Sequence, residues 1–386
     1  YTGTNGFFCF LGGLNNISAI DTSIANSVPL LAYLNDGAIV ANAIALAPTG
    51  NGNLSGTTAL LLTTDTVTAG NAGTSGALSN SLLVTAAGSL GLTDTDILYA
   101  NASSNLTITA DKHFSTTSGT TYTVNGDISA TDGNISINGA MIASAANPTL
   151  STNNSGDIII ASTVAGGGNG LTIETAGVNS SINGVVSNLS SLTKAGSGTL
   201  TLASSANTYT GQTIINDGIL SVGTLANGGS NSSLGAAAAG TPILIGSASA
   251  ATLRYTGASV STNRDISTNG VGGGTIETTN AGSTTLTLSG NITATDTLTF
   301  NTTGAGPSNI TLTTNGISGA GNIIKTGLGN LTFNVDHTYT GTTTISGGTL
   351  LVGAGGTTGT LGTGSVTNNG VLAFDRSDAL TISSLI

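Results

Sequence analysis

One stretch of this chain is repeated. Lys194-Ala-Gly-Ser-Gly-Thr-Leu-Thr-Leu202, Asn207-Thr-Tyr-Thr-Gly211 and Asp217-Gly-Ile-Leu-Ser-Val-Gly223 return as Lys325-Thr-Gly-Leu-Gly-Asn-Leu-Thr-Phe333, His337-Thr-Tyr-Thr-Gly341 and Gly347-Gly-Thr-Leu-Leu-Val-Gly353. Recurrence of this kind marks architectures in which one supersecondary unit stacks on copies of itself, and it argues against an enzyme-like globule.

The register of the repeat carries more than its existence. With Tyr209 aligned on Tyr339, Ile215 matches Ile345, Leu220 matches Leu350 and Val222 matches Val352, whereas Ile214, Ile219 and Ser221 fall opposite Thr344, Thr349 and Leu351. The kept apolar positions lie two apart, the spacing of side chains on one face of a strand. Leu200, Leu202, Ile215, Leu220 and Val222, with Leu331, Phe333, Ile345, Leu350 and Val352, are therefore expected inside; Ile214, Ile219, Ser221 and Leu351 are expected outside. Glycine and Asn or Asp separate these short runs and supply the turns.

Composition narrows the class. Of 386 residues 58 are Gly, only 6% are charged and 4% aromatic, and there is no Trp. A positive mean hydropathy of +0.29 argues for a folded chain rather than a disordered one. Helical periodicity is confined to a weak candidate between Ile24 and Ala47. Sandwich domains of about 100 residues need bulky cores that this chain lacks. A right-handed parallel β-helix asks only for a few Ile, Leu and Val per turn, with stacked Asn or Ser bonding along the axis. At roughly 20–25 residues per turn, the low end of solenoid repeats, the chain builds on the order of 16 turns, a rod of roughly 75 Å at about 4.8 Å per turn.

The run 192–202, followed by Asn207-Thr-Tyr-Thr-Gly211 and Gly218-Ile-Leu-Ser-Val-Gly223, closely resembles the passenger-associated transport repeat of bacterial autotransporters. The copy from Ile323 to Gly353 matches in the same places, with His337 where the pattern has Asn. Leu286-Thr-Leu-Ser-Gly-Asn-Ile-Thr293 and Ile317-Ser-Gly-Ala-Gly-Asn-Ile-Ile324 resemble the spacers of those proteins. The resemblance covers about residues 185–386 and implies a secreted β-helical passenger, an adhesin or structural protein, without implying a reaction. The chain opens at Tyr1 without the basic and apolar regions of a signal peptide and closes at Leu385-Ile386 within solenoid-like sequence, so a mature or trimmed form is expected.

Two regions are expected: residues 1–55, an apolar N-terminal cap or docking segment, and residues 56–386, the β-helix, with its recognisable repeats at 192–223 and 323–353. Phe7-Phe-Cys-Phe-Leu11, Val28–Leu34 and Ala38–Ala47 make the first region apolar, but each run is too short to span a membrane. Such a segment covers the unpaired edges at a solenoid's end, or docks on a neighbouring molecule. A formal charge of −11 with six Lys and Arg leaves no footprint for nucleic acid. Cys9 is the only cysteine; it is read as a small buried side chain, the alternative being an intermolecular bridge.

Candidates for chemistry are sparse. Asp94 with Asp96 and Asp375 with Asp378 pair carboxylates at short spacing, as calcium loops do, but neither pair continues into a Gly-anchored loop with a distal Glu. Asp111, Lys112 and His113 read as a surface turn. His337 has a non-titrating counterpart in Asn207, which argues against catalysis. The enzymatic alternative, a β-helical polysaccharide lyase or glycosidase, needs paired carboxylates or a carboxylate with nearby Arg or Lys. Lys194 and Lys325 have Gly and Thr for neighbours, and Arg254, Arg264, Asp265 and Glu277 form the single mixed cluster. Asn105, Asn188 and Asn309 head Asn-x-Ser/Thr triplets that follow from composition. No catalytic, cofactor-binding or metal-binding residue is assigned and no cofactor is expected. The expected function is a non-enzymatic extracellular rod of a bacterial surface, structural or adhesive, self-associating through its ends. The alternative is a monomeric passenger that binds a cell-surface or matrix ligand.

Overall fold

The computed structural model describes the strands Pro29–Asn35, Val40–Leu46, Thr63–Thr64, Thr66–Ala69, Leu106–Ile108 and His113–Thr116, and then residues 121–382 apart from 269, 271, 281–283 and 304–307. Every regular element among them is a strand. Parallel pairing piles the strands from Thr66–Ala69 onward into a β-solenoid of about 11 turns, while the three before it form a separate antiparallel sheet. Side 1 is a 13-stranded sheet and side 2 a 10-stranded sheet. The third side is discontinuous: a four-stranded sheet serves the first turns and a six-stranded sheet the last, each lying between sides 1 and 2 in chain order.

Residues bonded across one turn lie 20 apart at Thr342 and Asn322, 23 at Asp157 and Asn134 and 26 at Asn291 and Asp265, close to the expected turn length. One turn is longer: Thr256 bonds the Val222 carbonyl across 34 residues, the excess being the excursion that follows Gly223.

The weak helical candidate gives way to strands. Pro29–Asn35 and Val40–Leu46 pair antiparallel, Pro29 opposite Leu46. The local sequence favours this, since Val40, Asn42, Ile44 and Leu46 alternate with three alanines, a period of two. Pro29 is the first residue of its strand, where a missing N–H is tolerated. Phe7–Leu11, Cys9, Asp94, Asp96, Asn105, Asp111 and Lys112 lie outside the described residues.

Inside the solenoid, equivalent residues of successive turns form rows. On side 1 one row runs Leu200, Leu220, Leu253, Ile276, Phe300, Lys325, Ile345. On side 2 another runs Ile128, Leu150, Ile173, Lys194, Ile215, Ile245. All ten residues expected inside are buried. Each such large aliphatic side chain contributes about 1.5–3 kcal/mol on leaving water. Ile214, Ile219 and Leu351 are half-buried. Ser221 departs from its expected exposure: it stands in register beside Arg254 and is only 9% exposed.

Turn stacking is fixed at the corners by Asn and Asp. Asp127 accepts the Thr149 N–H at 2.8 Å, Asn147 that of Gly170 at 2.7 Å, Asp157 that of Asn179 at 2.8 Å, Asp265 that of Asn291 at 2.8 Å and Asn322 that of Thr342 at 2.9 Å. The axial bonding expected of stacked Asn is thus mainly side chain to the next turn's backbone, which satisfies N–H groups that the sheets leave free at the bends.

Candidate functional site

The two repeats build the most chemically distinctive places in the fold, and each begins with a lysine in the core. Leu192 and Lys194 are two apart on one strand, as are Ile323 and Lys325, so the lysine shares the inward face with an aliphatic residue. Both lysines are fully buried. The Lys194 ammonium donates to the carbonyls of Ala195 at 2.8 Å, Gly196 at 2.6 Å and, one turn on, Asp217 at 3.2 Å. Lys325 does the same with Thr326 at 2.6 Å, Gly327 at 3.0 Å and Gly347 at 3.3 Å, and reaches back one turn to the Thr302 hydroxyl at 3.0 Å. An ammonium has three donors and no acceptor, which suits it to a cluster of carbonyls where a strand turns. Gly196 and Gly327 aim their carbonyls at the ammonium from the left-handed region, at φ 73° and 75°. Burial lowers both lysines to a pKa of about 8; nearby Asp217 and Glu174 partly oppose the shift at Lys194.

The Asn-Thr-Tyr-Thr-Gly segment ends a sheet. Val186–Ser187 is the last strand of the four-stranded sheet, and Asn207 lies over it, its side-chain oxygen accepting the Val186 N–H at 2.8 Å while Thr208 N donates back to the Val186 carbonyl. Ile317–Ser318 is the last strand of side 2, and there His337 takes the part of Asn207: its Nδ1 accepts the Ile317 N–H at 2.8 Å, and Thr338 N returns to the Ile317 carbonyl. The departure of His337 from the repeat pattern is therefore a change of acceptor with the bond kept. Two residues on, Tyr209 and Tyr339 are buried with their hydroxyls on Thr213 at 2.9 Å and Thr343 at 2.6 Å. Burial raises both tyrosines, Tyr209 to about 12.

The copies do not occupy the same sides. Lys194 stands on side 2 and Leu220 on side 1, whereas Lys325 stands on side 1 and Leu350 on the third side. The repeat is a unit that closes one sheet and passes the chain to the next, whichever side it starts from.

The mixed cluster of Arg254, Arg264, Asp265 and Glu277 separates into three places. Arg254 pairs with Glu277 at 2.5 Å, and Asn301 Nδ2 donates to the same carboxylate. Asp265 is a corner acceptor for Asn291. Arg264 is buried, donating to the carbonyls of Leu234 at 3.0 Å and Gly235 at 2.8 Å, and so fastens the long excursion to the body; burial lowers its pKa. Asp378 is paired with Arg376 at 2.7 Å, and Asp375 is exposed. His113 lies in the strand His113–Thr116. Asn309 is a corner acceptor for Asn330 at 3.2 Å, and Asn188 takes a positive φ of 50°. No group of three or more His, Cys, Asp or Glu suited to a metal occurs among the described residues.

What these bonds define is a parallel β-solenoid whose buried Lys194, Lys325, Arg264 and His337 join its turns. Residues 192–222 and 323–352 match the family described as Passenger-associated-transport-repeat. The chain is also 38% identical, over 187 residues or 47% of its length, to a protein named adhesin BmaC autotransporter of Brucella suis biovar 1 (strain 1330). The matched stretch is 5% of that protein's length. No solved structure matches significantly. With the fold, these likenesses support an autotransporter passenger β-helix family for this chain.

Proposed function

We propose that this chain is a non-enzymatic adhesive or structural rod displayed outside a bacterial cell, and that it associates through its ends. The observation that carries the first part is the use of the reactive side chains. Of the six Lys and Arg, Lys194, Lys325 and Arg264 are buried on backbone carbonyls, and His337 accepts a backbone N–H. The relative's name, an adhesin, agrees with a surface that acts by contact. Displaying the chain on a non-adherent bacterium tests the adhesive reading. Binding to epithelial monolayers is expected to rise above that of the same strain displaying an unrelated β-helix, and equal binding leaves only the structural reading.

Association through the ends is read from the apolar Phe7–Leu11 stretch in the sequence and from an apolar edge at the last described strand, Val371–Arg376. Leu372 and Phe374 continue the inward rows of Leu350 and Val352, yet Phe374 is 42% exposed and borders a cavity of about 260 Å³ with Leu361, Leu380 and Ile382. A strand laid along such an edge satisfies its N–H and C=O groups and buries the apolar end. A head-to-tail contact of two copies is heterologous and grows into a fibre. Light scattering on the intact chain and on one lacking residues 1–12 tests this: intact chains are expected to grow in mass with concentration and truncated ones to stay single. Two monomeric chains would leave the segment as a cap on a passenger that works alone.

A further inference from the structure

The two sheet-ending bonds differ in one respect that matters in acid. Asn207 and His337 hold equivalent places and each accepts a buried N–H at 2.8 Å, but the amide oxygen of Asn207 keeps its lone pairs at any pH, whereas Nδ1 of His337 accepts only while unprotonated. His337 is 5% exposed, and its Nε2 is buried without a hydrogen-bond partner. Phe333 packs against it, tilted by 54°, with ring centroids 4.0 Å apart, and the Tyr339 ring lies 6.1 Å away. Among the described residues no carboxylate bonds the ring. Asp336, the neighbouring acid, holds the Gly359 N–H at 2.9 Å, and Arg376, which donates to the Gly359 carbonyl, is paired with Asp378.

We propose that His337 makes the C-terminal turns of the solenoid acid-releasable, while the turns closed by Asn207 are not. A second proton turns Nδ1 from acceptor to donor, so that it faces the Ile317 N–H donor to donor, and it places a charge among Phe333, Ile317 and Tyr339. The side-2 strand Ile317–Ser318 then loses its cover, and with it the contact of that strand with the turns that follow. The ring's pKa agrees, since burial lowers it from 6.5 to about 3. A base whose folded pKa is depressed gives stability that is complete above its unfolded pKa and lost as pH falls toward the folded one, here between about 6.5 and 3. The consequence for a surface rod is that an acidified surrounding loosens the turns around Ile317 and leaves those closed by Asn207 standing.

Native-state hydrogen exchange followed by mass spectrometry at pH 7 and pH 4, corrected for intrinsic rates, tests this on the intact chain. Peptides containing Ile317 are expected to lose protection on the order of 100-fold at pH 4, while those containing Val186 change little. His337→Asn is expected to abolish the loss, and Asn207→His to create one at Val186. Equal protection of Ile317 at both pH values would overturn the proposal, and so would an undiminished loss in His337→Asn. If that variant fails to fold, Asn207→His decides, since an acid-insensitive Val186 there also overturns it.

Discussion

Lys194 and Lys325 show how far one side chain can depart from what its charge suggests. Each lies in a core row between apolar residues, Lys194 between Ile173 and Ile215 and Lys325 between Phe300 and Ile345, and joins consecutive turns through backbone carbonyls. The sequence contained the clue: parity places Lys194 with Leu192 and Lys325 with Ile323, but a charged residue is ordinarily assigned to the surface. A lysine is admitted here because it finds three carbonyl acceptors where its strand turns, and these offset part of the cost of burying its charge. The buried ammonium also sets a pH dependence. With a folded pKa of about 8 against an ordinary 10.5, the unfolded chain binds more protons between these values, so stability is expected to rise with pH from about 8. The window closes near pH 10, where the buried tyrosines, shifted upward, begin to act in the opposite sense. Denaturant unfolding between pH 8 and 10 is expected to show a gain of about 2 kcal/mol per lysine; Lys194→Met and Lys325→Met each remove their share, and a slope unchanged in both variants contradicts the burial of the charge.

At the level of strands, the inward positions were legible, because one methyl-rich residue in two gives each turn a dry inner face, whereas the burial of Ser221 beside Arg254 was not. Leu220 and Leu351 test it as a pair. Leu220→Asp places an unpaired carboxylate in the row between Leu200 and Leu253 and is expected to cost roughly 3–5 kcal/mol, while Leu351→Asp, between Thr332 and Ala373, is expected to change the urea midpoint little. Comparable losses in both would put the register in doubt. The rotation of the second copy by one side was not legible. Sequence repeats report the turn chemistry, whereas the side on which a copy falls depends on how many strands lie between the copies, since a three-stranded turn returns the chain to the same side and a two-stranded one does not. Nor was the acceptor role shared by Asn207 and His337: the mismatch was visible at 337, but only the Ile317 and Val186 N–H groups explain it.

Across the whole molecule, three of six cations are withdrawn into the core, so the outer surface is more acidic than the formal charge of −11 suggests. What remains outside is largely Thr, Ser and Asn, arranged in axial rows, and this regularity makes the central claim measurable. Thr199, Ile219, Thr252, Thr275, Thr299, Ile324, Thr344 and Thr367 are register partners in successive turns of side 1. Spin labels at Thr252 and Thr367, and at Thr199 and Thr367, introduced with Cys9 replaced by Ser, report the stacking directly by pulsed electron–electron resonance. Parallel turns in register predict separations of roughly 24 and 34 Å, growing by about 4.8 Å for each turn between the labels; distances that do not grow with the number of turns would contradict the solenoid.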